Sequence, residues 1–226
     1  MNGERWPVHV EGRLDGEPSR WLWLVKWLLL IPHYVVLFFL GIAFTALTVV
    51  AFFVILVTGR YPRTIFDFNA GVLRWAWRVA FYGYGALGTD SYPPFTLADD
   101  PTYPARLSID APERLSRGLV LVKWWLLAIP HYLVVSLLIG GSMGAEHWGW
   151  DTPGLDALLV LIVAIALLFT GRYPRGLFDL VMGIARWVLR VAGYAFLMTD
   201  RYPPFKLDMG GSDPDDLGGG VRETRL

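Results

Sequence analysis

Thr58-Gly59-Arg60-Tyr61-Pro62-Arg63 returns without a change as Thr170-Gly171-Arg172-Tyr173-Pro174-Arg175. Working outward from this hexapeptide, matches continue in the same order on both sides. Upstream, Lys26-Trp27 meets Lys123-Trp124 and Pro32-His33-Tyr34 meets Pro130-His131-Tyr132. Downstream, Phe66-Asp67 meets Phe178-Asp179, and the set Gly71, Arg74, Trp75, Arg78 meets Gly183, Arg186, Trp187, Arg190. Tyr92-Pro93-Pro94-Phe95 then meets Tyr202-Pro203-Pro204-Phe205. So many matches in one order mark two tandem copies of one unit. The offset grows from 98 residues at Pro-His-Tyr to 112 at the hexapeptide, so the second copy carries 14 extra residues, around Ser142 to Asp156.

Composition names the solvent. Of the 226 residues 54% are hydrophobic, and the mean hydropathy is +0.43, above the ~45–50% apolar share of soluble domains. Twenty basic residues balance twenty acidic ones, so no global field draws the chain to nucleic acid. The absence of cysteine excludes disulfides, thiol nucleophiles and cysteine-ligated metals. Met1 to Leu14 carries Glu4, Arg5, Glu11 and Arg13 and no apolar run, so a cleavable secretory signal is not expected.

Spanning the hydrocarbon takes ~20 apolar residues in a helix. Trp21 to Val57 holds a single charge, Lys26, and is long for one span. In the second copy a polar insertion separates the apolar runs Gly118–Gly140 and Leu155–Thr170. An insertion of that polarity fits a hairpin tip, which places the corresponding tip of the first copy at Gly41 to Thr45. The tips carry no Lys or Arg, and the basic residues gather at the opposite ends, which the positive-inside rule reads as cytoplasmic. Lys26 and Lys123 are expected to snorkel toward that side.

The third apolar segment of each copy is amphipathic. Asp67, Gly71, Arg74 and Arg78 share a stripe about 60° wide, as do Asp179, Gly183, Arg186 and Arg190, which suits a helix in the interface. Val8 and Val10 alternate with His9 and Glu11, and Ala105, Leu107 and Ile109 with Arg106 and Ser108, the period of half-buried strands. The Tyr-Pro-Pro-Phe segments suit strand edges. The expected architecture is mainly α and integral to a membrane, with short β-strands capping the cytoplasmic face. Residues 1–98 form the first repeat, with a transmembrane hairpin over 20–59 and an amphipathic helix over 65–87. Residues 99–208 form the second, with a hairpin over 118–171 and a helix over 177–197, and 209–226 form a disordered tail.

The ordered motifs from Lys-Trp through Pro-His-Tyr and the hexapeptide to Tyr-Pro-Pro-Phe resemble the domain of unknown function 4389 family of bacterial membrane proteins, over roughly residues 6–207. The resemblance implies a bacterial inner-membrane setting with cytoplasmic termini and brings no activity with it.

Three readings of the polar residues follow. His33 and His131, each after a proline that removes a backbone donor, are expected to satisfy carbonyls freed at a kink. The same pair is the candidate intramembrane polar site of a solute or proton pathway, or of a bis-histidine haem. In the stripes, Asp67 and Asp179 are expected to pair with Arg74, Arg78, Arg186 and Arg190 across a pseudo-twofold axis. The competing reading has those arginines bind lipid headgroups together with Arg60, Arg63, Arg172 and Arg175. His147 beside Glu146 is too small a set for a metal site. No phosphate loop, nucleophile elbow or His-Glu-x-x-His occurs, so the expectation is a non-enzymatic membrane protein. It would need no cofactor and would bind anionic lipid or a membrane-protein partner. The topology predicts that a cysteine at Ser142 reacts with an impermeant reagent in intact cells and one at Ser108 does not; labelling at Ser108 contradicts it.

Overall fold

The computed structural model describes residues 6–14, 16, 18–139 and 154–213 and is mainly helical. In chain order the elements are β1 (Val8–Gly12), α1 (Trp23–Thr58), α2 (Arg63–Tyr82), β2 (Ala105–Ile109) and α3 (Arg117–Val122). A π-helical turn (Lys123–Leu127), α4 (Ile129–Ile139), α5 (Leu155–Thr170) and α6 (Arg175–Ala195) follow.

The repeated hexapeptide is a helix stop. Gly59 and Gly171 sit at φ 69° and 68° just after α1 and α5, and their amides reach back to the carbonyls of Ile55 (2.7 Å) and Leu167 (2.9 Å). Glycine takes this left-handed conformation without the Cβ penalty. Thr58 donates to Val54 O (2.8 Å) and accepts from the Arg60 amide (3.1 Å). Thr170 repeats this with Ala166 (2.6 Å) and Arg172 (3.2 Å). The next helix then starts directly after Pro62 or Pro174.

The hairpin expected over 20–59 does not form. α1 runs unbroken for 36 residues, or about 54 Å at 1.5 Å per residue. Nothing in the supposed tip is strong enough to stop a helix. Gly41 costs only ~1 kcal/mol relative to alanine, while Thr45 and Thr48 spend their hydroxyls on the carbonyls of Gly41 (2.9 Å) and Phe44 (2.8 Å) one turn back. In the second half the apolar run does break, with α4 bent 42° from the helical segment before it. The inserted stretch, with Ser142, Glu146 and His147, lies outside the described residues. Among the described residues one helix, α1, is long and apolar enough to cross a membrane, and α3 with α4 makes a second if taken as one broken span.

The amphipathic helices begin two residues earlier than expected and end sooner, at Tyr82 and Ala195. Apolar residues continue beyond both ends, but the chain turns through Leu87 (φ 52°) and Leu197 (φ 66°). A left-handed leucine costs ~1–2 kcal/mol, and burial of both side chains to 1% and 2% exposure offsets it.

β1 and β2 pair antiparallel with Val8 opposite Ile109, Val10 opposite Leu107 and Gly12 opposite Ala105, and Val8, Val10, Ala105 and Leu107 turn inward. The Tyr-Pro-Pro-Phe segments form no strand. Each strand packs on the amphipathic helix of the other half, β1 on α6 and β2 on α2. The helix caps interlock as reciprocally: Arg117 lies over Gly59 and Arg20 over Gly171. α2 and α6 thus lie between the sheet and the apolar helices, and neither carries an exposed large hydrophobic side chain. α1, α4 and α5 expose many, among them Phe38, Phe53, Val57, Leu137 and Phe169 at 59–77%.

An unbroken α1 makes Gly41 an ordinary helical residue with open space beside it. Gly41→Ala is therefore expected to raise stability by roughly 0.5–1 kcal/mol in reversible denaturation in detergent. A loss would show that Gly41 occupies a turn.

Candidate functional site

The arginines of the stripes on α2 and α6 are buried or largely so, but their partners are not the aspartates of the opposite stripe. Arg74 donates to the carbonyls of Leu107 (3.0 Å) and Leu97 (2.8 Å), and Arg78 to those of Thr96 (2.6 Å) and Ala98 (3.1 Å). In the second half Arg186 donates to Val10 O (3.0 Å), Gly210 O (2.9 Å), Ser212 O (3.2 Å) and the Asp208 carbonyl. Val10 and Leu107 hold the same position in the two copies, so one arginine of each half grips the strand of the other. Arg190 pairs with Asp208 (2.5 Å) and Asp213 (3.4 Å). Arg78, Arg186 and Arg190 are at most 2% exposed, and burial works against the charge of Arg78 and Arg186.

The expected pairing across a pseudo-twofold axis is thereby overturned. Asp67 pairs instead with Arg63 of its own helix at 3.2 Å, both side chains more than half exposed, and Asp179 uses its backbone carbonyl to accept from Gly210 (3.2 Å). Gly71 and Gly183 admit Leu97 and Met209, not a helix. The expected disorder beyond 208 is overturned for Met209 to Asp213: Asp213 is fully buried, because two guanidiniums withdrawn from water need its carboxylate. Residues 214–226 lie outside the described residues.

The two lysines do not snorkel. Lys26 is 1% exposed, pairs with Asp90 (3.0 Å) and donates to Thr89 O (2.6 Å). Lys123 is fully buried and makes the same contacts with Asp200 (2.7 Å) and Thr199 O (3.0 Å). Each aspartate also receives an amide from the stretch before its helix, Ser19 (2.5 Å) or Ser116 (2.6 Å).

His33 and His131 are fully buried. His33 stacks on Phe95 at 4.1 Å and meets Tyr92 at 4.9 Å; His131 stacks on Phe205 at 4.4 Å and meets Tyr202 at 4.8 Å. The Trp75 indole donates to His33 Nδ1 (3.1 Å), which fixes a neutral ring with its proton on Nε2. Trp187 donates instead to Pro204 O (2.8 Å). Neither imidazole satisfies a freed carbonyl. The carbonyl that Pro32 leaves free is that of Leu28; the Tyr92 hydroxyl donates to the next one along, Leu29 O (3.0 Å). Each ring sits in an aromatic enclosure of its own half, and neither lines the large apolar groove of the molecule. Haem ligation by both rings requires a shared space that these contacts do not provide.

What remains open lies at the border. Arg60, Arg63, Arg172 and Arg175 are exposed. Arg60 lines a cleft of about 330 Å³ with Thr58, Gly59, Leu115 and two arginines that sequence reading passed over, Arg114 and Arg117. A second, apolar groove of about 570 Å³ runs between α1, α4 and α6. The duplicated Thr89-Asp90 and Thr199-Asp200, on the same offset as Tyr-Pro-Pro-Phe, were the signal for the buried lysine sites. Among the described residues no group of three or more His, Asp or Glu is placed to hold a metal ion.

A family model described as Domain of unknown function (DUF4389) matches residues 20–96 and 155–206. No curated protein matches the chain, and no solved structure does. The matched stretches contain α1, α2, α5, α6 and both Tyr-Pro-Pro-Phe enclosures.

Removing one member of a desolvated ion pair costs ~3–5 kcal/mol, whereas an exposed pair contributes ~0–1. Asp213→Asn is therefore expected to destabilise by ~3–5 kcal/mol and Asp67→Asn by under ~1 in detergent denaturation; equal, small losses would place Asp213 in water. Acid should act at the same place. Burial disfavours the Asp208 carboxylate, but hydrogen bonds from Lys206 and Arg190 outweigh it and hold the group below its ordinary value. Its stabilising contribution is present above pH ~4 and is lost as pH falls through that lower value. Asp208→Asn should flatten this acid limb, and an unchanged limb would contradict the assignment.

Proposed function

We propose, for a chain that belongs to the domain of unknown function 4389 family, a non-enzymatic role in the cytoplasmic membrane: binding anionic lipid along a cytoplasmic basic border. The observation that carries this reading is the division of labour among the arginines. Those of the amphipathic stripes are consumed by carbonyls and carboxylates of the chain itself. Arg60, Arg114, Arg117 and Arg175, at the helix ends, stay in solvent, where a guanidinium offers a planar pair of donors to a phosphate.

Membrane embedding is supported by the exposed apolar layer. Only 17% of the most apolar window of α1 is buried, unlike the core helix of a soluble protein, and water does not favour so large a contiguous apolar surface. Exposed Trp21, Trp27, Trp124 and Trp125 suit the headgroup region. The sheet, with the pairs Arg106–Asp99 (2.8 Å) and His9–Asp110 (3.5 Å), belongs on the water side. A solute pathway through His33 and His131 finds no comparable support, since both rings are closed in by aromatic side chains.

In nanodiscs assembled from equal phosphatidylglycerol and phosphatidylcholine, the protein is expected to retain phosphatidylglycerol preferentially on extraction. Raising salt from 0.1 to 1 M should weaken the preference, since ~3 Å replaces ~10 Å as the screening length. Equal retention of the two lipids at low salt would refute the proposal.

A further inference from the structure

We infer that the cleft of Arg60, Arg114 and Arg117 and the apolar groove beside it form one site for a single anionic phospholipid, phosphate in the cleft and acyl chain in the groove. The inference rests on the lipid-binding reading above and assigns it a place.

Three guanidiniums share the cleft with Thr58, and no carboxylate lines it. Among the described residues none of the three forms a hydrogen bond or ion pair through its side chain. Like charges so arranged repel one another, and a phosphate oxyanion relieves the repulsion while accepting paired N–H donors. The elements that line the cleft also supply both walls of the groove. On α1, Phe53 in the groove stands five residues before Thr58 in the cleft; on the facing wall, Trp124 stands seven residues after Arg117. Each interval is roughly 7–11 Å of helix. Phe52, Val135 and Val191 line the rest, and about 570 Å³ falls within the ~300–1,000 Å³ range of ligand pockets.

The duplication supplies an internal control. By the offsets of the repeat, Arg60, Arg114 and Arg117 correspond to Arg172, Glu17 and Arg20. In sequence, the other half therefore has an acidic residue aligned with this cleft's third arginine. Arg20 there lies over Gly171, and Arg172 is engaged rather than free. The fold is built with either set, so three arginines are not a structural requirement. The chemistry they share favours a phosphate, and the adjoining apolar groove favours one that carries a chain.

Native mass spectrometry of the full chain in detergent, titrated with phosphatidylglycerol and separately with phosphatidylcholine, tests this. One phosphatidylglycerol should bind about tenfold or more tightly than phosphatidylcholine. The Arg60→Gln/Arg114→Gln/Arg117→Gln variant should lose that preference with its melting temperature unchanged, whereas Arg172→Gln should keep it. Ala192→Phe, which fills the groove, should weaken both lipids while sparing the preference, and inorganic phosphate at millimolar concentration should not displace the lipid. A triple variant that binds like the parent, or an Arg172→Gln variant that loses as much, overturns the site and leaves the general lipid reading standing. Displacement by inorganic phosphate overturns the lipid as occupant. No preference in the parent overturns both.

Discussion

A guanidinium taken out of water must find acceptors for its donors, and it cannot shed its charge to avoid the need. α2 and α6 each carry two such groups, and neither helix supplies acceptors enough of its own. The remedy is to draw backbone from elsewhere in the chain. Arg74 and Arg78 take carbonyls from residues 96–98 and from β2, while Arg186 and Arg190 take β1 and the stretch from Asp208 to Asp213. The exchange of strands between halves, the position of the sheet and the ordering of the tail to Asp213 all follow from that requirement.

The duplication, the helix stop, both amphipathic helices and the two strands were legible because each leaves a local trace, whether an exact repeat, a 100° stripe or a period of two. The expected α1 hairpin does not form because the feature that marks a tip lies in the other half alone. A polar insertion can make a tip in one copy without the uninserted copy having one, and nothing between Val35 and Val57 overrides helical hydrogen bonding. The stripes were seen as stripes, but helical periodicity tells which side chains share a face and not what that face meets. Asp67 looked like a partner for Arg74 because both are charged and aligned; the actual acceptors are carbonyls, which leave no mark in a sequence. The same holds for Asp213, which sits among glycines and aspartates that read as solvated. His33 and His131 drew attention as rare ionisable groups, while their enclosures were already written in Tyr-Pro-Pro-Phe, 62 and 74 residues downstream at Phe95 and Phe205.

Function separates from structure within one residue type. Arginines inside the stripes spend most of their donors on carbonyls and carboxylates of the chain and hold the fold, whereas Arg60, Arg114 and Arg117 line an open cleft that no carboxylate enters. Comparing the two copies is what divides them. Arg74 and the lysine sites recur in both halves with equivalent partners, as structural roles should. Arg114 is replaced by Glu17, as a role confined to one half permits.

The reciprocal grip of each arginine pair on the other half's strand can be tested without background, because the chain has no cysteine. A Cβ built on Gly12 of β1 lies within 2.6 Å of the Met182 sulfur on α6, so these two positions face each other. In the Gly12→Cys/Met182→Cys variant, oxidation of the folded protein followed by peptide mass spectrometry should give an intramolecular disulfide. A Gly12→Cys/Ala70→Cys variant, which joins β1 to the corresponding position of its own half, should give none. A disulfide in the second variant and not in the first would show that each strand stays with its own helix, and would contradict the account.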